Sequence, residues 1–82
     1  MPLFSILIPV YNRGKLITET IDSVLNQSFK DFEIIVVDDG SADSTRTIVK
    51  NIPDQRIQLL CHEKNLGAAA ARNTGMKAAR GA

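Results

Sequence analysis

Residues 34–41 of this chain read Ile-Ile-Val-Val-Asp-Asp-Gly-Ser, and this stretch carries the clearest strand signal in the sequence. Its first four residues are β-branched, which favours a strand. Because none of the four is polar, the strand is expected to be buried on both faces, as the strands of parallel sheets are. The residues from Asp38 to Ser41 are typical of a turn and end the strand. The stretch therefore predicts a central strand that carries two carboxylates at its end.

Strand and helix patterns precede this stretch. Residues 4–10 are predicted to form a first strand, in which Ile6, Leu7 and Ile8 are a short apolar run closed by Pro9. From residue 15 to about residue 27, apolar side chains recur at offsets of three and four, which predicts a helix with one apolar face.

The same alternation continues after the stretch. Asp43 or Ser44 can cap a second helix, which Pro53 stops. A weaker strand covers residues 57–61, and an alanine-rich helix covers residues 67–79. The order β-α-β-α-β-α predicts an α/β fold with three layers, in which helices cover both faces of a parallel, Rossmann-like sheet.

Three loops are candidates for a binding site because of this topology. In open parallel sheets, ligands bind beyond the carboxyl ends of the strands. That edge gathers residues 9–14, 38–43 and 62–67.

Tyr11 is the first candidate residue. It follows the first strand directly, and its flat ring could stack on a nucleotide base, an interaction that contributes about 1–3 kcal/mol per base in nucleic-acid sites. The alternative is that Tyr11 packs on the first helix with its hydroxyl in water. The residues alone leave both interpretations open.

Asp38 and Asp39 are the second candidates. Neighbouring strand residues point to opposite faces, so the two carboxylates are not expected to chelate an ion together. One is expected to bond backbone groups in the turns, while the other faces the cleft. An ionised carboxylate only accepts hydrogen bonds, which suits the imino N–H of uracil or thymine, or a ribose hydroxyl. The alternative is a turn and helix cap with no ligand.

The last helix carries the third candidate, Arg72. Small residues recur every four positions along this helix, at Gly67, Ala71, Gly75 and Ala79. They form a ridge of small side chains, so the helix can approach a neighbouring element closely. Arg72 lies one step off the ridge, and its guanidinium could reach a base carbonyl or a diphosphate. The alternative is a solvated charge on the helix surface.

Composition excludes several other classes. The 82 residues fit one domain. The net charge of +1 lacks the strong basic excess that binding to duplex nucleic acid needs. There is one cysteine and no signal-peptide pattern, so the sequence predicts a cytoplasmic protein. Neither a G-x-G-x-x-G nor a P-loop motif is present. Cys61 and His62 are adjacent but lack the other ligands of a zinc site.

Four segments in order resemble the family 2 glycosyltransferases. They are the opening strand with its Pro9-Val10-Tyr11-Asn12 end, residues 25–33 (Leu-Asn-Gln-Ser-Phe and Asp-Phe-Glu), residues 36–41 with Asp43 and Thr45, and Asn65-Leu66-Gly67 followed by Ala71-Arg72-Asn73 and Gly75. Together they span nearly the whole chain.

This resemblance implies a GT-A fold and an inverting transfer of a sugar from a nucleotide diphosphate donor, of the UDP or dTDP type, to an acceptor hydroxyl. It implies that Asp39 pairs with the uracil-type edge and that Arg72 lies near the base or the diphosphate. It also implies that Pro9, Val10 and Tyr11 border the base, with support from Asn12, Asp38, Gly40, Ser41, Gly67 and Asn73.

The chain also departs from the family pattern. The family continues with a strand that ends in an Asp-X-Asp motif, which holds a divalent cation such as Mg²⁺ or Mn²⁺, and later with a carboxylate general base. Neither feature occurs in these 82 residues. The sequence therefore predicts the donor-binding part of a GT-A domain, inactive alone, without catalytic or metal-binding residues of its own. Whether the parent protein carries a membrane segment is left open.

Two other classes stay open: a nucleotide-binding module that performs no catalysis, and a remnant that merely folds. An unrelated α/β nucleotide binder would show no preference for uridine over adenosine. In the GT-A fold the absent strand pairs beside the first strand, so residues 4–8 are expected to present an apolar edge. Such edges promote self-association.

Overall fold

The computed structural model describes residues 4–12, 14–27 and 31–79, and it confirms the predicted alternation of strands and helices. Ser28 and Phe29, which carry part of the family resemblance, lie outside the described residues. The elements are β1 (Phe4–Val10), α1 (Gly14–Leu25), β2 (Phe32–Asp39), α2 (Thr45–Lys50), β3 (Ile57–His62) and α3 (Ala68–Ala78).

The three strands form one parallel sheet in the order β1-β2-β3, so β2 is the central strand, as predicted. Every residue of β2 is buried. The strand is longer than the apolar run suggested. Asp38 does not end it but pairs with Val10 on one side and Cys61 on the other, and Asp39 pairs with His62.

Helices cover both faces of the sheet, which confirms the three-layer α/β/α arrangement. Alternate residues of β2 serve the two layers. Ile34 and Val36 lie in one core with Ile17 and Ile21 of α1 and Val49 of α2. Ile35 and Val37 pack with Ala71 of α3 in the other. Such burial contributes roughly 1.5–3 kcal/mol for each large apolar side chain.

The small-residue ridge on α3 lets this helix approach the sheet closely. Ala71 and Gly75 are both buried. A Cβ on Gly75 would lie 2.5 Å from Cδ2 of Leu7 and 3.3 Å from Cγ2 of Val37, so a larger residue would require the Leu7 side chain or α3 to move. The close approach fixes where the first turn of α3 meets the ends of β1 and β2.

The start of α2 resolves an alternative that the sequence left open. Ser44 occupies the N-cap position, but its side chain makes no capping hydrogen bond. The carboxylate of Asp43 accepts the backbone N–H of Thr45 at 3.0 Å instead.

No helix in the described ranges is long and apolar enough to cross a bilayer.

Candidate nucleotide site

The three loops meet at the carboxyl edge of the sheet, as the topology predicts, and they enclose a cavity of about 240 Å³. Four predicted base-site residues, from two loops far apart in the sequence, line it together. The lining residues are Pro9, Val10, Tyr11, Asp39, Asn65, Gly67, Ala68 and Ala71.

Tyr11 stands at the rim of this cavity, and 43% of its surface is exposed. An exposed aromatic ring beside a cavity can accept a stacked base without first being uncovered. Its position is set by β1, whose last residue, Val10, is buried beside it.

Asp39 is the acidic side chain among the residues that line the cavity, and it is almost fully buried. Its Oδ1 accepts the backbone N–H of Leu66 at 2.9 Å and lies 2.8 Å from Nδ1 of His62. Its Oδ2 accepts the backbone N–H of Gly67 at 2.9 Å. A buried carboxylate is stable only when such donors compensate for its lost hydration, and three of them do so here.

These contacts also fix the charge of Asp39. The hydrogen bond from His62 lowers the pKa of the Asp39 carboxyl, and the backbone N–H groups of Leu66 and Gly67 lower it further. The group is therefore ionised at neutral pH and can only accept hydrogen bonds. An ionised carboxylate offers about four acceptor positions, and the described residues fill three of them, so Oδ2 keeps one.

Asp38 points to the opposite face from Asp39, as strand alternation requires, and it is fully buried. Its carboxylate pairs with the guanidinium of Arg46 and accepts the hydroxyl and the backbone N–H of Ser41. The same guanidinium donates to the backbone carbonyl of His62. Asp38 thus ties α2 to the ends of β2 and β3.

Asn12 holds the first loop against the second. Its backbone takes φ = +50°, a left-handed conformation that Asn tolerates better than most residues. Its side-chain oxygen accepts the backbone N–H of Ala42 at 2.8 Å, and its own N–H donates to the hydroxyl of Ser41 at 2.8 Å. Because Tyr11 precedes Asn12 directly, this clasp sets where the tyrosine stands relative to Asp39.

Other predicted site residues lie away from the cavity wall. Arg72 and Asn73 are exposed on α3 and do not line the cavity, whereas Ala71 takes the buried position on this turn. Gly67 lines the cavity at the N-cap of α3, and Gly40 takes φ = +79° in the turn after β2. The structure therefore brings Tyr11 and Asp39 together and leaves Arg72 outside their cavity.

The sequence placed His62 in the third loop at this edge, but its contact with Asp39 was not predicted, because its side chain was weighed only as a metal ligand. The imidazole bridges Asp39 of β2 and Thr74 of α3, and each ring nitrogen lies 2.8 Å from its partner. The signal was available in principle, because His62 ends a strand next to the one that ends in Asp39. Finding it required the register of β2 and β3.

The described residues do not fit a divalent-cation site. Within residues 4–12, 14–27 and 31–79, no three His, Cys, Asp or Glu side chains group as ligands could. Asp38 and Asp39 face away from each other, and each is engaged with its own donors.

Comparison with known proteins decides the family. The model of the family "Glycosyl transferase family 2" matches residues 5–82. The chain belongs to this family. It is 47% identical over 79 residues to UDP-Glc:alpha-D-GlcNAc-diphosphoundecaprenol beta-1,3-glucosyltransferase WfgD of Escherichia coli, with 96% of this chain and 31% of WfgD covered.

Two solved structures share the fold of this family 2 chain. TarS residues 1–349 of S. aureus in complex with UDP superimposes with a TM-score of 0.89 at 37% identity, covering 96% of this chain and 25% of that 1–349 chain. The mannosyltransferase PcManGT of Pyrobaculum calidifontis, in complex with GDP-Man and Mn²⁺, superimposes with a TM-score of 0.86 at 31% identity. This match covers 95% of this chain and 24% of the PcManGT chain. The chain thus spans less than a third of the length of these relatives.

Proposed function

We propose that the cavity between Tyr11 and Asp39 binds the base of a nucleotide diphosphate-sugar, of the UDP or dTDP type. In the whole protein, the sugar of this donor would pass to an acceptor hydroxyl with inversion. The observation that carries the proposal is the meeting of an exposed tyrosine and an ionised, buried carboxylate in one cavity. The complexes of TarS with UDP and of PcManGT with GDP-Man support a nucleotide donor.

The acceptor character of Asp39 determines which bases suit the cavity. Uracil and thymine carry an N–H at N3, which can donate to the remaining acceptor position on Oδ2. Cytosine at N3 and adenine at N1 present a lone pair at the corresponding edge, which would face the negative carboxylate. The cavity should therefore prefer uridine and thymidine nucleotides over cytidine and adenosine nucleotides.

Binding measurements with UDP, CDP and ADP test this proposal. UDP should bind more tightly than CDP and ADP by about tenfold or more, because a hydrogen bond to a charged group contributes roughly 1.5–3 kcal/mol. Asp39→Ala should remove the preference. Asp22→Ala, at an exposed position on α1, is the control and should keep it. Equal affinity of the unchanged chain for the three nucleotides would reject the proposal.

We further propose that these 82 residues supply the donor-binding part of a larger GT-A domain. Support comes from the share of each relative that the chain covers, 31% of WfgD and 25% of TarS residues 1–349. The 82-residue chain should bind the donor without transferring the sugar. An assay with UDP-sugars, Mg²⁺ or Mn²⁺ and sugar acceptors should show no transfer, and turnover by this chain would contradict this.

Two broader proposals complete this assignment. We place the protein in the cytoplasm and in polysaccharide biosynthesis; the name of WfgD supports the second. Cell fractionation tests the first, and loss of a surface glycan on deletion of the gene tests the second.

We also propose self-association through β1, which is an outer strand of the described sheet and carries the exposed Phe4.

A further inference from the structure

His62 occupies a bridging position that the proposed base site does not by itself explain. It is the last residue of β3 and the register partner of Asp39 on β2. Its side chain is only 11% exposed. Its Nδ1 contacts Asp39, which lines the cavity, and its Nε2 contacts Thr74 of α3.

The hydrogens of this chain of contacts can be assigned from chemistry. Ionised Asp39 can only accept, so Nδ1 of His62 must carry the hydrogen between them. The hydroxyl of Thr74 lies 2.8 Å from Nε2 of His62 and 3.1 Å from the carbonyl of Ala70. When this hydroxyl donates to Nε2, the imidazole is neutral; when it donates to Ala70, Nε2 is protonated and the ring is cationic. In both states Nδ1–H donates to Asp39.

The donors around Asp39 are unevenly distributed over its two oxygens. Oδ1 receives two, from His62 and Leu66, whereas Oδ2 receives one, from Gly67. Without His62, each oxygen would hold a single backbone donor from the same loop. The two oxygens would then be nearly equivalent, and nothing but that loop would stop the carboxylate from rotating.

We propose that His62 is a positioning residue for the donor site, whose Nδ1–H holds Oδ1 of Asp39 so that the remaining acceptor position on Oδ2 faces the cavity. Base selection in this chain then depends on a residue that does not line the cavity. The inference rests on the proposed function, because it assumes that Asp39 accepts a hydrogen bond from the base.

Two substitutions separate the two ring nitrogens. His62→Asn places an amide nitrogen where Nδ1 stands, so it can still donate to Asp39 but cannot reach Thr74. His62→Gln places the amide one bond farther out, near Nε2, so it can reach Thr74 but not Asp39. His62→Ala removes both contacts, and Thr74→Val removes only the contact with α3.

The test measures UDP and CDP affinity for these four variants and the unchanged chain. His62→Ala and His62→Gln should weaken UDP binding by about tenfold and narrow the ratio between UDP and CDP, because each leaves Asp39 without one charge-assisted donor. His62→Asn should recover most of that loss, and Thr74→Val should lose less than His62→Ala. Recovery by Gln instead of Asn, or an unchanged ratio in all four variants, would overturn the inference and leave His62 as a brace between β3 and α3.

A measurement on the unchanged chain covers the case in which the variants do not fold. The ¹⁵N resonance of His62 Nδ1 should have the shift of a protonated nitrogen and should move when UDP binds; an unprotonated Nδ1 would refute the inference. Asp39→Ala separates this inference from the proposed function. If Asp39→Ala leaves UDP binding intact, the proposed function fails; if it removes the preference while all His62 variants keep it, only the role of His62 fails.

Discussion

Gly40 lies against the backbone of Asn65 so closely that a Cβ on Gly40 would stand 2.5 Å from the Asn65 nitrogen. The turn after β2 and the loop after β3 touch here through backbone atoms. Since Asn65 lines the cavity and the next two residues donate to Asp39, this contact sets the wall of the candidate site. Gly40 also takes φ = +79°, which other residues rarely adopt.

Gly40→Ala should therefore destabilise the chain and weaken UDP binding. The substitution adds a collision with backbone atoms to the cost of a left-handed conformation, and we expect a loss of about 3 kcal/mol or more. Gly67→Ala is the matched control, because Gly67 has φ = +100° but nothing within 4 Å of its added Cβ. It should lose only the conformational part, roughly 1–3 kcal/mol. Urea denaturation measures the free energy of unfolding of both variants. Equal losses in the two variants would contradict the close contact between Gly40 and Asn65.

The free energy of unfolding should fall in acid, because carboxylates that accept hydrogen bonds in the folded chain become protonated there. Asp43 accepts the hydroxyl and N–H of Thr45 and the N–H of Gly14, and these bonds, Thr45 first, lower the pKa of its carboxyl. The pKa of Asp39 is lowered too. A depressed folded-state pKa gives stability that is complete above the unfolded-state value of about 3.9 and is lost as pH falls through the folded-state value.

Asp43→Ala isolates one of these contributions. Its free energy of unfolding should be lower than that of the unchanged chain at neutral pH, and the difference should shrink as pH falls below about 4. Between the folded-state and unfolded-state pKa values of Asp43, the unchanged chain should take up more protons on unfolding than the variant does. Urea titrations between pH 7 and pH 2 measure this. A difference that grows toward acid would mean that the sign of the Asp43 effect is wrong.

Self-association should depend on the outer edge of β1. Phe4 is 46% exposed at the start of this strand, and outer strands can pair with other chains. Phe4→Lys should lower the association constant by about tenfold, because a charge on an edge strand opposes pairing. Leu16→Lys on α1, where Leu16 is 55% exposed, is the control. Sedimentation that finds a monomer at high concentration, or equal effects of both variants, would count against the edge.

The sequence predicted the elements well because local pattern and tertiary burial agree in them. The β-branched run Ile34–Val37 predicted a strand buried on both faces, and β2 is one. The extension of β2 through Asp38 and Asp39 was harder to foresee, because polar residues end most buried strands unless distant groups satisfy them. Here Arg46 and Ser41 satisfy Asp38, and the groups that satisfy Asp39 come from β3 and the loop after it.

The candidate site was predictable only in part. Strand order implied that Tyr11 and Asp39 would meet, and they do. His62 was invisible to local reasoning, because its two partners are fixed by strand register and by the packing of Gly75 on Leu7. The place of Arg72 also depends on that packing, since Ala71 rather than Arg72 takes the buried position on α3.

The most direct test of the central claim is a ¹H–¹⁵N NMR titration of the chain with UDP. We expect the largest shift changes on the backbone amides of Val10, Tyr11, Leu66 and Gly67, which surround Asp39 at the carboxyl edge of the sheet. Changes centred instead on the groove between Ile6, Val24 and Phe32, on another part of the surface, would contradict it.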